Sequence, residues 1–253
     1  MTEQTLSLAA RRATLPPVTL GVVLVLVWAL LSAVLGSATV PSPVDLGERL
    51  ALEIADGDIL YAAAETFGVS ALGSLLGLLV ALPLGYLLAH SSTATAALGP
   101  YLAASQAIPA VAFAPLLALW FGYDAFPKAL LCALLVFFPI LLNTVLGLST
   151  LDRDIVGAAR VDGAGAGRLL LYIEAPMALP AVLTGVRNGF VLSVTGAVVG
   201  EFVMGGSGLG ELLSVFRDRV DTAGMVATLL VLAALAVAIN LAVRGLERMV
   251  RWW

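Results

Sequence analysis

Long apolar runs broken by short polar stretches dominate this chain. No charged residue occurs between Ala13 and Val44, and Val18–Leu35 is the apolar centre of that run. None occurs from Thr66 to Tyr123 either, a run too long for one bilayer-crossing helix of roughly 20 residues. It is divided at "HSSTATAALGP", residues 90–100, whose Ser, Thr, Gly and Pro mark a turn. The pattern predicts six spans: Val18–Leu35, Gly68–Ala89, Tyr101–Phe121, Pro127–Leu148, Ala181–Val203 and Ala223–Val243. The expected organisation is a single all-α membrane domain over residues 1–253. It has an N-terminal segment (1–17), an outer segment (36–67), a loop between spans four and five (149–180) and a C-terminal tail (244–253).

Composition supports this reading. Of 253 residues, 60% are hydrophobic and 12% charged, and the mean hydropathy is +1.04. A soluble domain carries roughly 25% charge, so too few polar side chains remain to cover a core in water. The net charge of −4 argues against nucleic acid as a partner. A single cysteine, Cys132, and a single histidine, His90, leave a disulfide, a zinc centre or a Ser-His-Asp triad without its parts. His90 reads as an interfacial polar residue. No metal site and no catalytic residue is expected.

Lys and Arg set orientation, because loops on the cytoplasmic side carry the excess. With the N-terminus inside, Arg11, Arg12, Arg153, Arg160, Arg168, Arg244, Arg248 and Arg251 fall inside, against Arg49, Lys128, Arg217 and Arg219 outside. Both termini and the 149–180 loop are therefore expected in the cytoplasm. Trp252 and Trp253 suit an interfacial anchor. Arg11-Arg12 before an apolar run also suits a signal peptide, but the run is long for one.

The loop "DRDIVGAARVDGAGAGRLLLYIEAP" reads as two short helices around a Gly turn. Asp152 and Asp154 suit a helix N-terminus, Asp162-Gly163 marks the turn, and Leu169, Leu170 and Ile173 recur at helical spacing. Pro176 and Pro180 are expected to end the segment. The element is a compact knuckle that either hugs the membrane or docks a cytoplasmic partner.

These residues resemble the inner-membrane permeases of binding-protein-dependent ABC importers. That family's loop has a Glu-Ala-Ala triplet, a Gly four residues after the second Ala, and a Pro-containing end. Ala158, Ala159, Gly163, Ala164, Ile173, Pro176 and Pro180 fall on the pattern, while Gly157 stands in place of the Glu and Ala175 in place of a Leu. "SQAIPAVAFAPLLALWFGYDAFPKALL", "FFPILLNTVLGL", "ALPAVLTGVRNGF" and "GEFVMGGSGLGELL" extend the likeness to the nitrate/taurine/sulfonate-type branch, from about residue 60 onward.

The resemblance implies a type I importer permease, usually paired as a homodimer. Two ATPase subunits would dock below and an extracytoplasmic substrate-binding protein above, with lipid around it. Gly157, Ala158, Ala159, Arg160, Asp162, Gly163, Ala164 and Arg168 would form the coupling loop. This chain would hold no cofactor of its own, since it has no P-loop pattern; ATP and Mg would sit in the partner ATPase. The implied mechanism is alternating access. Substrates of that branch include sulfonate-like anions and vitamin-precursor heterocycles, and both stay open here.

Polar groups in the spans give the candidate translocation path: Ser105, Gln106, Asn143, Asn188, Ser193, Thr195 and Glu201. Glu201 could instead cap "GGSGLG", Gly205–Gly210, which reads as an outer turn rather than a nucleotide loop. Small residues recur every four positions at Gly73, Gly77, Ala81 and Gly85, and again at Gly185, Gly189, Ser193 and Ala197. Such stripes pack either within one chain or against a path or second subunit. Ser193 and its stripe are expected to face the central path. Arg187, a charge within a span, reads either as functional or as snorkelling to the nearby membrane surface. An ion-gradient-driven secondary transporter is the alternative; it would favour several intramembrane carboxylates and an internal repeat.

Overall fold

The computed structural model describes the backbone of residues 3–250 and the side chains of residues 19–249. The side chains of Arg11, Arg12, Arg251, Trp252 and Trp253 lie outside that range. The described residues are almost wholly helical. In chain order they form α1 (Glu3–Leu35), α2 (Pro43–Asp56), α3 (Asp58–His90), α4 (Ser92–Gln106), α5 (Ala114–Phe121) and α6 (Ala125–Ser149). Next come α7 (Arg153–Val161), α8 (Ala166–Leu169), α9 (Ala175–Met204), α10 (Leu209–Asp218) and α11 (Thr222–Val250). A π-helical stretch, Leu170–Glu174, joins α8 to α9, so 166–204 runs as one continuous helix of 39 residues.

Four helices are long and apolar enough to cross a membrane, in α3, α6, 166–204 and α11. The expected third span is not one straight helix. Residues 92–106 and 110–121 are two helical pieces bent by 85°, so they make a broken span or a re-entrant loop. The turn expected at 90–100 shrinks to Ser91, whose hydroxyl accepts from the Ala94 N–H and starts α4. The Ser and Thr that read as turn formers act as helix-capping groups there, and a second break falls at Pro109. In α1 the apolar part within the described side chains is Thr19–Leu35, and nearly all its large side chains are exposed, as suits lipid contact.

The 36–67 segment is largely helical: Ser42 and Asp45 form a capping box that starts α2, and Gly57, at φ 85°, turns directly into α3. One further expectation changes. Pro176 and Pro180 do not end the 149–180 segment. They lie in the first turns of α9, directly after the π-helical turn, where the register change accommodates a missing N–H donor.

The core is built on α6, with α3 on one side and α9 on the other. Both glycine stripes serve this packing. A Cβ at Gly77 would stand 3.0 Å from the Ala133 carbonyl, and one at Gly85 would stand 2.8 Å from Thr144 Cβ. From the other side, a Cβ at Gly185 would stand 2.7 Å from both Asn143 Cβ and the Pro139 carbonyl. Small residues let these helix backbones approach closely where lipid supplies no hydrophobic drive. Of the two roles open to the stripes, the structure uses packing within one chain.

Candidate functional site

At one end of α9 stands the knuckle. The Asp152 carboxylate caps α7 by accepting from the Asp154 N–H at 2.9 Å. At the other end of α7 the Gly163 N–H donates to the Arg160 carbonyl at 3.1 Å, and the Ala164 N–H to the Ala159 carbonyl at 3.0 Å. These two bonds make a Schellman ending, with Gly163 at φ 84° in the left-handed position that glycine favours. No atom lies within 4 Å of a Cβ built at Gly163. Among the described residues the backbone angle is therefore the constraint on this position.

The helix has two faces. Asp154, Ile155, Ala158 and Val161 point outward, with Val161 88% exposed. Arg153, Val156, Gly157 and Arg160, spaced i, i+3, i+4 and i+7, line a cavity of about 350 Å³ between α7 and the ends of α3 and α6. Ala159 and Ala164 are half-buried beside the turn, whereas Asp162 and Arg168 are exposed. His90 and Glu174 meet below, Nε2 to Oε1 at 3.0 Å, with the His90 ring stacked on Tyr86. His90 is therefore paired as well as interfacial, and the buried Glu174 was not singled out by residue pattern.

At the opposite end of α9 the glycine-rich turn Gly205–Gly210 is held by a clamp. Glu201 is fully buried, and its Oε2 accepts from Thr66 Oγ1 at 3.0 Å and from the Gly210 N–H at 2.8 Å. The Leu209 N–H in turn donates to Thr66 Oγ1 at 2.9 Å. Lys128 Nζ donates to the Gly205 carbonyl, and Ser207 Oγ donates to Glu65 Oε2 at 3.2 Å. The carboxylate occupies the N-terminus of α10, where free N–H groups and the helix dipole favour an anion. Of the two readings open to Glu201 the structure has the cap, and its placement on the path is corrected because the side chain is fully buried. The clamp residues Thr66 and Lys128 were missed as a site, although a lone lysine at the edge of an apolar span was the available signal.

The remaining path candidates divide by exposure. Ser193 is only 1% exposed and donates to the Phe190 carbonyl at 2.7 Å, so its stripe is turned into the fold and not outward as expected. Asn188 and Thr195 are exposed on the other face of α9, and Thr184 shares their side. Ser105 and Gln106 are exposed at the end of α4, just before the 85° break. Asn143 is half-buried in α6 and donates to the Pro139 carbonyl at 2.8 Å. Arg187 does not snorkel freely, because it pairs with Glu247 of α11 at 3.4 Å. The described residues contain no group of His, Cys, Asp and Glu able to hold a metal ion.

Apolar helices wrapped on a glycine-lined central helix, with an exposed capped knuckle between two of them, define a polytopic integral membrane protein. Residues 73–252 match the family model described as the binding-protein-dependent transport system inner membrane component. The chain is 47% identical over 165 residues to the riboflavin transport system permease protein of Chloroflexus aurantiacus. That match spans 65% of this chain but only 62% of the relative's length. It is 30% identical to the formylaminopyrimidine transport permease protein of Halalkalibacterium halodurans, across 94% of this chain and 96% of that one. The taurine transport system permease protein of Escherichia coli is 28% identical, across 96% and 91%. Among solved structures, a chain of the MetNI methionine ABC transporter in an inward-facing conformation superposes with a TM-score of 0.67 at 19% identity. That superposition covers 78% of this chain and 98% of that one, and shows the shared fold.

The chain belongs to the family of inner-membrane components of binding-protein-dependent transport systems. It is a permease component, and none of these likenesses supports the ion-gradient-driven alternative.

Proposed function

We propose that two copies of this chain pair around one path, dock two ATPase subunits through α7, and admit a small neutral heterocycle delivered by an extracytoplasmic binding protein. ATP and Mg²⁺ belong to the ATPases, and this chain supplies the moving path. On this reading both termini and α7 are cytoplasmic, and the Glu201 clamp lies outside. Closure of the ATPases on ATP draws the two knuckles together and opens the path outward. The observation that carries the reading is the outward face of α7, where Ile155, Ala158 and Val161 present an unpartnered apolar edge beside a rigid Schellman ending.

Gly163→Leu tests it. A non-glycine residue in the left-handed region costs roughly 1–2 kcal/mol, so the ending must unwind and the apolar edge shifts. Co-purification of the ATPase should fall about tenfold, with membrane insertion intact. Gly163→Asn, which tolerates that angle better, should retain most binding. Normal assembly and transport by Gly163→Leu would refute docking through α7.

The solute class rests on charge. An anion path would favour cationic groups free in the spans, yet Arg187 is tied to Glu247 and Lys128 to the Gly205 carbonyl. The riboflavin and formylaminopyrimidine relatives point the same way. Proteoliposomes holding the full transporter should take up labelled riboflavin or an aminopyrimidine and leave taurine outside; equal taurine uptake sinks the heterocycle assignment.

The path itself is assigned to the Thr184–Asn188–Thr195 face of α9, because a polar solute must find hydrogen-bonding groups in place of its water. In a Cys132→Ala background, a cysteine at 188 should react with water-soluble thiol reagents and one at 193 should stay protected. The reverse order of labelling places the path on the other side of α9.

A further inference from the structure

The cavity beneath α7 has a chemistry that docking to an ATPase does not use. A Cβ built at Gly157 meets no atom within 4 Å, so open space lies where the family motif places a glutamate. Arg153 and Arg160 line that space, and neither forms an ion pair among the described residues. On the inner side Glu174 is 2% exposed. Its Oε1 is taken by His90, while its Oε2 is buried without a hydrogen-bond partner among the described residues. A buried carboxylate oxygen left in that state is costly, and such groups ordinarily find a donor. Leu148 lines both this cavity and an apolar groove of about 540 Å³ that runs along α3, α6 and α9 past Leu82, Tyr86, Ala178 and Val182.

The geometry points to a phospholipid with an ethanolamine headgroup as the occupant. Its phosphate accepts from Arg153 and Arg160, its ammonium pairs with the Glu174 carboxylate where that side chain lines the cavity, and an acyl chain lies in the adjoining groove. Each alternative leaves something unsatisfied. A choline headgroup has no N–H for Glu174. A glycerol headgroup has hydroxyl donors but no positive charge to balance that carboxylate, and it adds net negative charge beside it. Free phosphate leaves the groove and Glu174 unfilled. An acidic segment of the ATPase meets the arginines but faces repulsion from Glu174. Guanidinium–phosphate pairs are among the stronger charge-assisted hydrogen bonds, and the groove contributes apolar burial along the chain. The leaflet rests on the orientation proposed above; the site does not depend on which solute is carried.

Native mass spectrometry of the full chain with its ATPase, in detergent with added lipids of matched acyl chains, tests this. Phosphatidylethanolamine should remain bound under activation that strips phosphatidylcholine and phosphatidylglycerol. The paired change Arg153→Ala with Arg160→Ala should lower the bound fraction about tenfold. Gly157→Glu, which meets no steric obstacle, should do the same by placing a carboxylate between the arginines. Glycerophosphoethanolamine, the headgroup without acyl chains, should not be retained. Equal retention of all three lipids, or retention unchanged in both variants, overturns the site. So does loss of the ATPase from the arginine variant with lipid retention unchanged, which would assign the arginines to the ATPase. Because the readout is bound lipid, its failure leaves the transport reading standing.

Discussion

Glu201→Ala is expected to destabilise the chain by about 3 kcal/mol or more, a large part of the roughly 5–15 kcal/mol that a folded domain holds. The carboxylate is fully buried, and one oxygen accepts from both Thr66 and the Gly210 N–H. Alanine removes the acceptor and leaves both donors buried without a partner. The first turn of α10 loses its anion, and the turn from Gly205, with φ values of 71°, 100° and 117° at Gly205, Gly206 and Gly208, loses the group around which it is wrapped. Part of the cost is offset because a buried charge no longer needs to be desolvated. Glu201→Gln keeps a carbonyl oxygen for one donor and should lose less. Thermal unfolding of the purified protein in detergent measures both, and a midpoint for Glu201→Ala within a degree of the wild type would show that the clamp does not hold the turn.

The second large effect is steric. Gly185→Val should give almost no folded protein, because its Cβ would lie 2.7 Å from the Pro139 carbonyl and from Asn143 Cβ, and 3.1 Å from Ile140 Cα. Two of these obstacles are backbone, so no rotamer change relieves them. Overpacking of a core costs roughly 1–3 kcal/mol where side chains can yield, and here α9 must instead move off α6. Gly68→Ala is the control, since nothing lies within 4 Å of its Cβ. Monodisperse yield on size-exclusion chromatography compares the two, and a normal yield for Gly185→Val would mean that the seam is looser than its geometry.

What could be read from residue order followed how local the interaction was. The knuckle was legible because its parts lie within a dozen residues: Asp152 caps, Gly163 turns, and Ala159 and Ala164 close the ending. Apolar run length located the long helices for the same reason. It failed at 92–106, where Ser and Thr lower hydropathy yet begin a helix. It also could not see the second break, before Pro109, that splits the expected third span. Glu201 was legible as a cap of the glycine turn beside it, but its partner Thr66 was not, at a separation of 135 residues. The stripes at Gly73–Gly85 and Gly185–Ala197 were plain, but periodicity does not name the neighbour, and α6 rather than a second copy took that place. Ser193 was misplaced for that reason.

The continuous helix from Ala166 to Met204 has a mechanical consequence. At 1.5 Å per residue its 39 residues form a rod of roughly 58 Å. The rod is seated against α6 through Gly185, Gly189 and Gly196, so this glycine seam is its fulcrum. From Gly185, the seam's glycine nearest the knuckle, the arm to Ala166 is roughly 28 Å, so a swing of about 5° moves the knuckle end by roughly 2.5 Å. The arm beyond the seam, Gly196 to Met204, is only roughly 12 Å, so a shove on the knuckle reaches the other end smaller in travel and larger in force, and is not dissipated in a loop. The π-helical turn at Leu170–Glu174 is where that arm has its least regular hydrogen bonding, and hence where torque would first bend it.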